Sequence, residues 1–132
     1  MIKKWELLAL SCVVLGTLAF LSFPIMGGDI FLSKGENVTI MVNARASEMG
    51  GFEPDEIVVN QGESVKLLIY AEDVVHGIAI SGYDINAKLY PGKWVEIEFT
   101  AEKAGTFPFF CTIYCSPTHG LMMGRLIVVP TS

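Results

Sequence analysis

The chain has 132 residues, 52% of them hydrophobic, with 9 basic against 14 acidic side chains and a formal net charge of −5. That length allows one domain of about a hundred residues plus one extra element, and the apolar fraction is high for a soluble protein. The acidic balance argues against nucleic acid as a partner, because phosphates require a basic surface.

The apolar excess lies at the N-terminus. Leu7 to Met26 is an uncharged, largely apolar run of the length needed to span a bilayer core. Lys3 and Lys4 precede it and Trp5 stands at its edge, where basic residues and an aromatic anchor are expected on the cytoplasmic side. The expectation is a single-pass anchor in the cell membrane over residues 1–27, N-terminus cytoplasmic, with residues 28–132 forming one extracytoplasmic domain. A cleaved signal peptide would have a shorter apolar core and small residues at its cleavage site; Phe23-Pro24-Ile25-Met26 does not supply them. Cys12 has too few apolar residues before it and too many after it for a lipoprotein acceptor. It reads as a lipid-facing or helix-packing residue, not a metal ligand. Beyond Gly28, seven basic and thirteen acidic residues leave a net charge of −6, which permits steering of a basic partner.

Gly27-Gly28-Asp29 ends the run and a short connector reaches Glu36. Strand signals then begin. Val38 to Val42 is a β-branched run, and a Gly-, Ala- and Ser-rich loop follows as far as Pro54. Ile57 to Val59 and Val65 to Tyr70 flank Asn60-Gln61-Gly62-Glu63, a turn signal. Ile78 to Ile80 is short and apolar, while Trp94 to Phe99 alternates as a half-buried strand should. Phe107 to Cys111 and Leu126 to Val129 complete the set. Many short strands with turns at close intervals predict an all-β sandwich or barrel.

The chemistry gathers in Cys111 to Met122, CTIYCSPTHGLM. Thiolate and thioether are soft ligands and imidazole suits copper, so the set favours copper over hard, oxygen-seeking ions. Zinc accepts two Cys and a His but is rarely found with methionine. Cys115, His119 and Met122, with His76 far upstream, satisfy the pattern of a blue-copper loop by themselves. Cys111 is then surplus, and a second thiolate would let two sulfurs bridge two copper ions. A Cys111–Cys115 disulfide is the competing reading, since the domain is expected in an oxidising compartment; it leaves the spacing of His119 and Met122 unexplained. His76 alone would be an ordinary hydrogen-bonded histidine, and its weight comes from the second cluster. Met123 reads as a core filler.

The loop resembles the CuA site of cytochrome c oxidase subunit II, and Asp73-Val74-Val75-His76-Gly77 resembles that family's first-histidine segment. Gly51-Phe52-Glu53-Pro54 and the closing Gly124-Arg125-Leu126-Ile127-Val128-Val129 strand extend the likeness, from about Val38 to the C-terminus. The resemblance implies a cupredoxin-like Greek-key barrel bearing a dinuclear copper centre. It also implies an electron-transfer subunit of a membrane heme–copper oxidase, taking electrons from cytochrome c and passing them to the heme-bearing subunit I. Such a chain belongs to an enzyme complex without having a catalytic centre of its own. Cys111 and Cys115 would each bridge both ions. His76 and Met122 would serve one copper, and His119 and the Ile113 carbonyl the other. Many members carry a glutamate at the Ile113 position, whose carboxylate reaches a magnesium ion; isoleucine keeps only the carbonyl. That change and the single anchor resemble the short subunit II of B-type oxidases. Phe107, Pro108, Phe109, Phe110 and Leu121 are the expected apolar wall. Phe52 falls where an aromatic residue would receive electrons, with a plain core phenylalanine as its rival reading. A free-standing membrane-anchored CuA or red-copper carrier is the alternative function. A copper-delivery protein is disfavoured, because delivery sites are usually exposed and methionine-rich.

Overall fold

The computed structural model describes residues 35–132. The anchor expected over residues 1–27, its boundary and Cys12 lie outside them. Among the described residues no helix is long and apolar enough to cross a membrane.

Among the described residues nine strands run in chain order: β1 (Asn37–Ala44), β2 (Phe52–Glu53), β3 (Glu56–Asn60), β4 (Ser64–Ala71), β5 (His76–Ile80), β6 (Ile85–Leu89), β7 (Trp94–Thr100), β8 (Gly105–Phe110) and β9 (Met123–Val129). They form a four-stranded sheet, β2-β1-β4-β7, and a five-stranded sheet, β3-β9-β8-β5-β6. β1 pairs in parallel with β4, and β3 in parallel with β9; the other pairings are antiparallel. The expected all-β cupredoxin-like architecture is the one observed.

Alternation along each strand decides what lies between the sheets. In β4, Val65, Leu67, Ile69 and Ala71 are buried while Lys66, Leu68 and Tyr70 take the other face. Val42 and Ala44 join them from β1, and Ile57, Val59, Ile78, Ile80, Phe109, Leu126 and Val128 come from the five-stranded sheet. Gly124 is glycine for a steric reason: a β-carbon there would run into the Asp55 carbonyl and the Phe109 ring. The outward charges pair across strands, as Arg125 does with Glu56 at 2.6 Å and Lys66 with Glu98 at 2.9 Å.

Strand order also sets where the chemistry falls. β8 and β9 are adjacent and antiparallel, with Phe110 opposite Met123, so residues 111–122 are their connection. The Cys111 N–H donates to the Met122 carbonyl at 3.0 Å and closes it. β5 pairs with the other side of β8, with Ala79 opposite Phe110. Continuing that register brings position 76 level with position 113. Three strand ends therefore meet at one end of the sandwich.

Candidate metal centre

His76 is the first residue of β5 and is fully buried. A ring nitrogen of His76 and the sulfurs of Cys111 and Cys115 all lie within 4.8 Å of one another. The two sulfurs are 3.8 Å apart and both thiols are free, well beyond the bond length of a disulfide. Cys111 Sγ donates to the Ile113 carbonyl at 3.1 Å, so that oxygen borders the same space. Cys115 Sγ is 3.8 Å from Met122 Sδ, and Met122 is 1% exposed. His76, Cys111, Ile113, Cys115 and Met122 are thus brought together.

His119 stands slightly apart. It is not among the three residues whose donor atoms fall within 4.8 Å of each other. It opens a 3-10 turn, His119–Leu121, and its ring lies 5.5 Å from that of Tyr114. Its Nδ1 is buried and has no hydrogen-bond partner, and the same holds for Nδ1 of His76. Buried polar atoms are nearly always satisfied. Both imidazoles thus keep a buried nitrogen open to a ligand, that of His76 in the residue cluster with Cys111 and Cys115.

Asp73, which opens the first-histidine segment but is given no role by the sequence, fixes one of those nitrogens. Its Oδ1 is 2.6 Å from His76 Nε2. With the ring N–H donated there, Nδ1 keeps its lone pair for a metal, the usual arrangement of a carboxylate behind a ligating histidine. Asp73 also accepts from the backbone N–H groups of Ala46 and Val74, each at 2.7 Å. Partial burial pushes its carboxyl up, but the Ala46 N–H, the His76 ring and the Val74 N–H outweigh that and hold it below the usual carboxylate range. The only local signal for this role is its place three residues before His76.

Burial, and then the adjacent Cys111 thiol, push Cys115 up to about 11. It is therefore a protonated thiol at neutral pH when no metal is bound, and a cation must displace that proton. The donor set fits copper: two soft sulfurs, imidazole nitrogens and a thioether.

Three expectations are corrected. Met123, read as a core filler, is exposed on β9. Phe52 is 2% exposed and packs edge-on against Phe109 with ring centroids 5.4 Å apart, so it is a core residue and offers a partner no surface. The apolar wall is smaller than expected: Phe109 is buried, Phe107 is half-buried against Tyr83, and Pro108, Phe110 and Leu121 are exposed. β8 supplies the reason, since its alternation buries one residue in two.

Fold and donor set together define a copper-type sandwich, and the chain belongs to the cupredoxin-like domain family, which matches residues 12–128. It is similar to cytochrome c oxidase subunit 2 of Thermus thermophilus, 32% identical over 78 residues that cover 59% of this chain and 58% of that one. It is also similar to the nitrous-oxide reductase of Ralstonia nicotianae, 33% identical over 99 residues, or 72% of this chain and 15% of that one. The chain thus spans only part of the length of these relatives. Among solved structures, a chain of a heme-copper terminal oxidase dimer superposes with a TM-score of 0.65 at 23% identity, covering 95% of this chain and 99% of that chain. The periplasmic domain of subunit II of cytochrome oxidase from Bradyrhizobium japonicum gives 0.62 at 19%, covering 70% and 84%. The family and the oxidase relatives support copper binding.

Proposed function

We propose that the chain is the electron-transfer subunit of a membrane heme–copper oxidase, with its copper domain on the extracytoplasmic side. In this reading it accepts electrons from a cytochrome c at a dinuclear copper centre and delivers them to a heme-bearing subunit I. The observation that carries the reading is the pairing of two free thiols 3.8 Å apart with two buried, unpartnered imidazole nitrogens. A mononuclear site needs one thiolate, and the second has no other use here.

His76, Cys111, the Ile113 carbonyl, Cys115, His119 and Met122 would hold the metal. Bound copper supplies a one-electron couple, which two bridging thiolates would spread over both ions. The protein's share is rigidity. Asp73 locks the His76 ring, the Cys111–Met122 backbone bond closes the loop, and burial of Met122 keeps water from that side. Electrons are best received at the loop end bearing His119. Tyr114, 73% exposed and in ring contact with His119, is the surface residue that supports this.

The test uses the full chain purified from membranes in mild detergent. Metal analysis should find about two copper ions per chain, one for each role the thiolate pair implies, and a heme-bearing membrane protein should co-purify. One copper in a fully loaded sample would sink the dinuclear assignment. Two coppers with no heme partner would favour the free-standing carrier.

A further inference from the structure

The donor set comes from two distant parts of the chain, and both parts are tethered to one short turn after β1. The Ala46 N–H donates to Asp73, the carboxylate behind His76. Glu48, two residues on, reaches the ligand loop itself. Its Oε2 accepts from Ser116 Oγ at 2.9 Å and from Thr118 Oγ1 at 2.6 Å. Ser47 Oγ lies 2.7 Å from the Thr118 carbonyl and 2.5 Å from its hydroxyl. Ser116 follows Cys115 and Thr118 precedes His119. These bonds therefore bracket the segment between the second thiol and the second imidazole.

The proton inventory is consistent. Each hydroxyl has a single proton to donate. Ser116 and Thr118 give theirs to Glu48, and Ser47 gives its own to Thr118. Glu48 must then be an ionised acceptor, and the Thr118 hydroxyl, its own backbone N–H and the Ser116 hydroxyl lower its carboxyl to about 2. Between Cys115 and Met122 the backbone bonds are local, namely His119 N–H to the Ser116 carbonyl, Leu121 N–H to that of Thr118 and Met122 N–H to that of His119, while the Cys111–Met122 bond closes only the ends of the loop. Local bonds shape a turn but do not fix it against a scaffold.

Building on the copper site above, we propose that Glu48 is a positioning residue that ties the Cys115–His119 segment to the turn that also holds Asp73. One turn, residues 46–48, then sets both halves of the donor set.

The experiment compares full-length Glu48→Ala, Glu48→Gln and Glu63→Ala chains in detergent. Glu63 is a control of similar kind: a half-buried glutamate bonded to Asn60 on the β3–β4 turn, at the opposite end of the sandwich. Amide exchange in the metal-free chain is read over residues 116–122. Losing two charge-assisted bonds should speed it about tenfold in Glu48→Ala, less in Glu48→Gln, and not at all in Glu63→Ala. Copper loss to a chelator should follow the same order. Unchanged exchange at 116–122, or an equal rise throughout β4 and β8, would overturn the proposal, as would faster exchange with no change in copper release. A wild-type chain that takes up no copper would strike the copper reading alone, and exchange would still decide the tether.

Discussion

Asp73 Oδ1 lies 2.6 Å from His76 Nε2, and that bond decides which nitrogen of a fully buried imidazole is left for metal. A ring without it could rotate or take the other tautomer. Replacing Asp73 with Ala should lower copper affinity by about 10- to 100-fold, the usual cost of losing the group behind a ligating histidine. Competition with a chelator of known affinity measures it. Unchanged affinity would mean that packing alone orients the ring.

Phe52, expected at the receiving edge, is a core residue, whereas Tyr114, to which the sequence assigned no role, is the exposed aromatic beside His119. Phe52→Ala should destabilise the domain by about 3–5 kcal/mol, because it empties a packed core site. Denaturant titration of the metal-free chain is the measurement, and a loss below about 1 kcal/mol would contradict its burial. Tyr114→Ala, at the surface, should leave stability within about 0.5 kcal/mol but slow reduction by cytochrome c several-fold. Stopped-flow traces with unchanged rates would remove Tyr114 from the receiving edge.

These two residues also mark how far the sequence could be read. Trp94 to Phe99 was legible because one buried face leaves a period of two, and Val65 to Tyr70 because an apolar run follows the Asn60–Glu63 turn. β6, Ile85–Leu89, was not, since its inward side is only Ile85, the small Ala87 and Leu89 between exposed Asn86 and Lys88, too short a pattern to stand out; β2 is only two residues long. The ligand types and spacing at Cys111, Cys115, His119 and Met122 were legible because metal chemistry is local. Asp73 was legible only as part of the first-histidine segment, three residues before His76, and Glu48 was not legible at all. A carboxylate that works by a hydrogen bond to a residue 68 or 70 positions away, as Glu48 does with Ser116 and Thr118, leaves no local pattern. Phe52 was ambiguous for the reverse reason, as burial is a property of the sandwich and not of the motif.

Cys115 gives a prediction in pH. Burial and the Cys111 thiol raise it to about 11 in the folded, metal-free chain, above the value near 9 of an unperturbed thiol. The folded state therefore favours the neutral thiol. Its contribution is fully present below pH 9 and is lost as pH rises from there through about 11. Stability of the metal-free chain should fall over that window, and Cys115→Ser should lack that part of the fall. Denaturation midpoints measured from pH 8 to 11 test it, and identical curves for the two chains would refute it. The same proton must leave when copper binds at neutral pH, so uptake should acidify an unbuffered solution.

Met122 combines near-complete burial with a sulfur 3.8 Å from that of Cys115. A thioether is a neutral, weak donor, and in copper sites the identity of such a ligand mainly shifts the redox potential. Leucine has nearly the same volume and no lone pair, so Met122→Leu should keep the core packed, at a cost below about 1.5 kcal/mol. Copper should stay bound through the thiolates and imidazoles. Loss of a sulfur donor disfavours the oxidised state more than the reduced one, so the potential should rise. Met123→Leu is the control, because Met123 is exposed on β9 and lies outside the donor cluster. Redox titration of the copper-loaded full chain decides the matter. A potential unchanged by Met122→Leu, with copper retained, would exclude the thioether from the metal, and loss of all copper would show that Met122 holds the metal instead of tuning it.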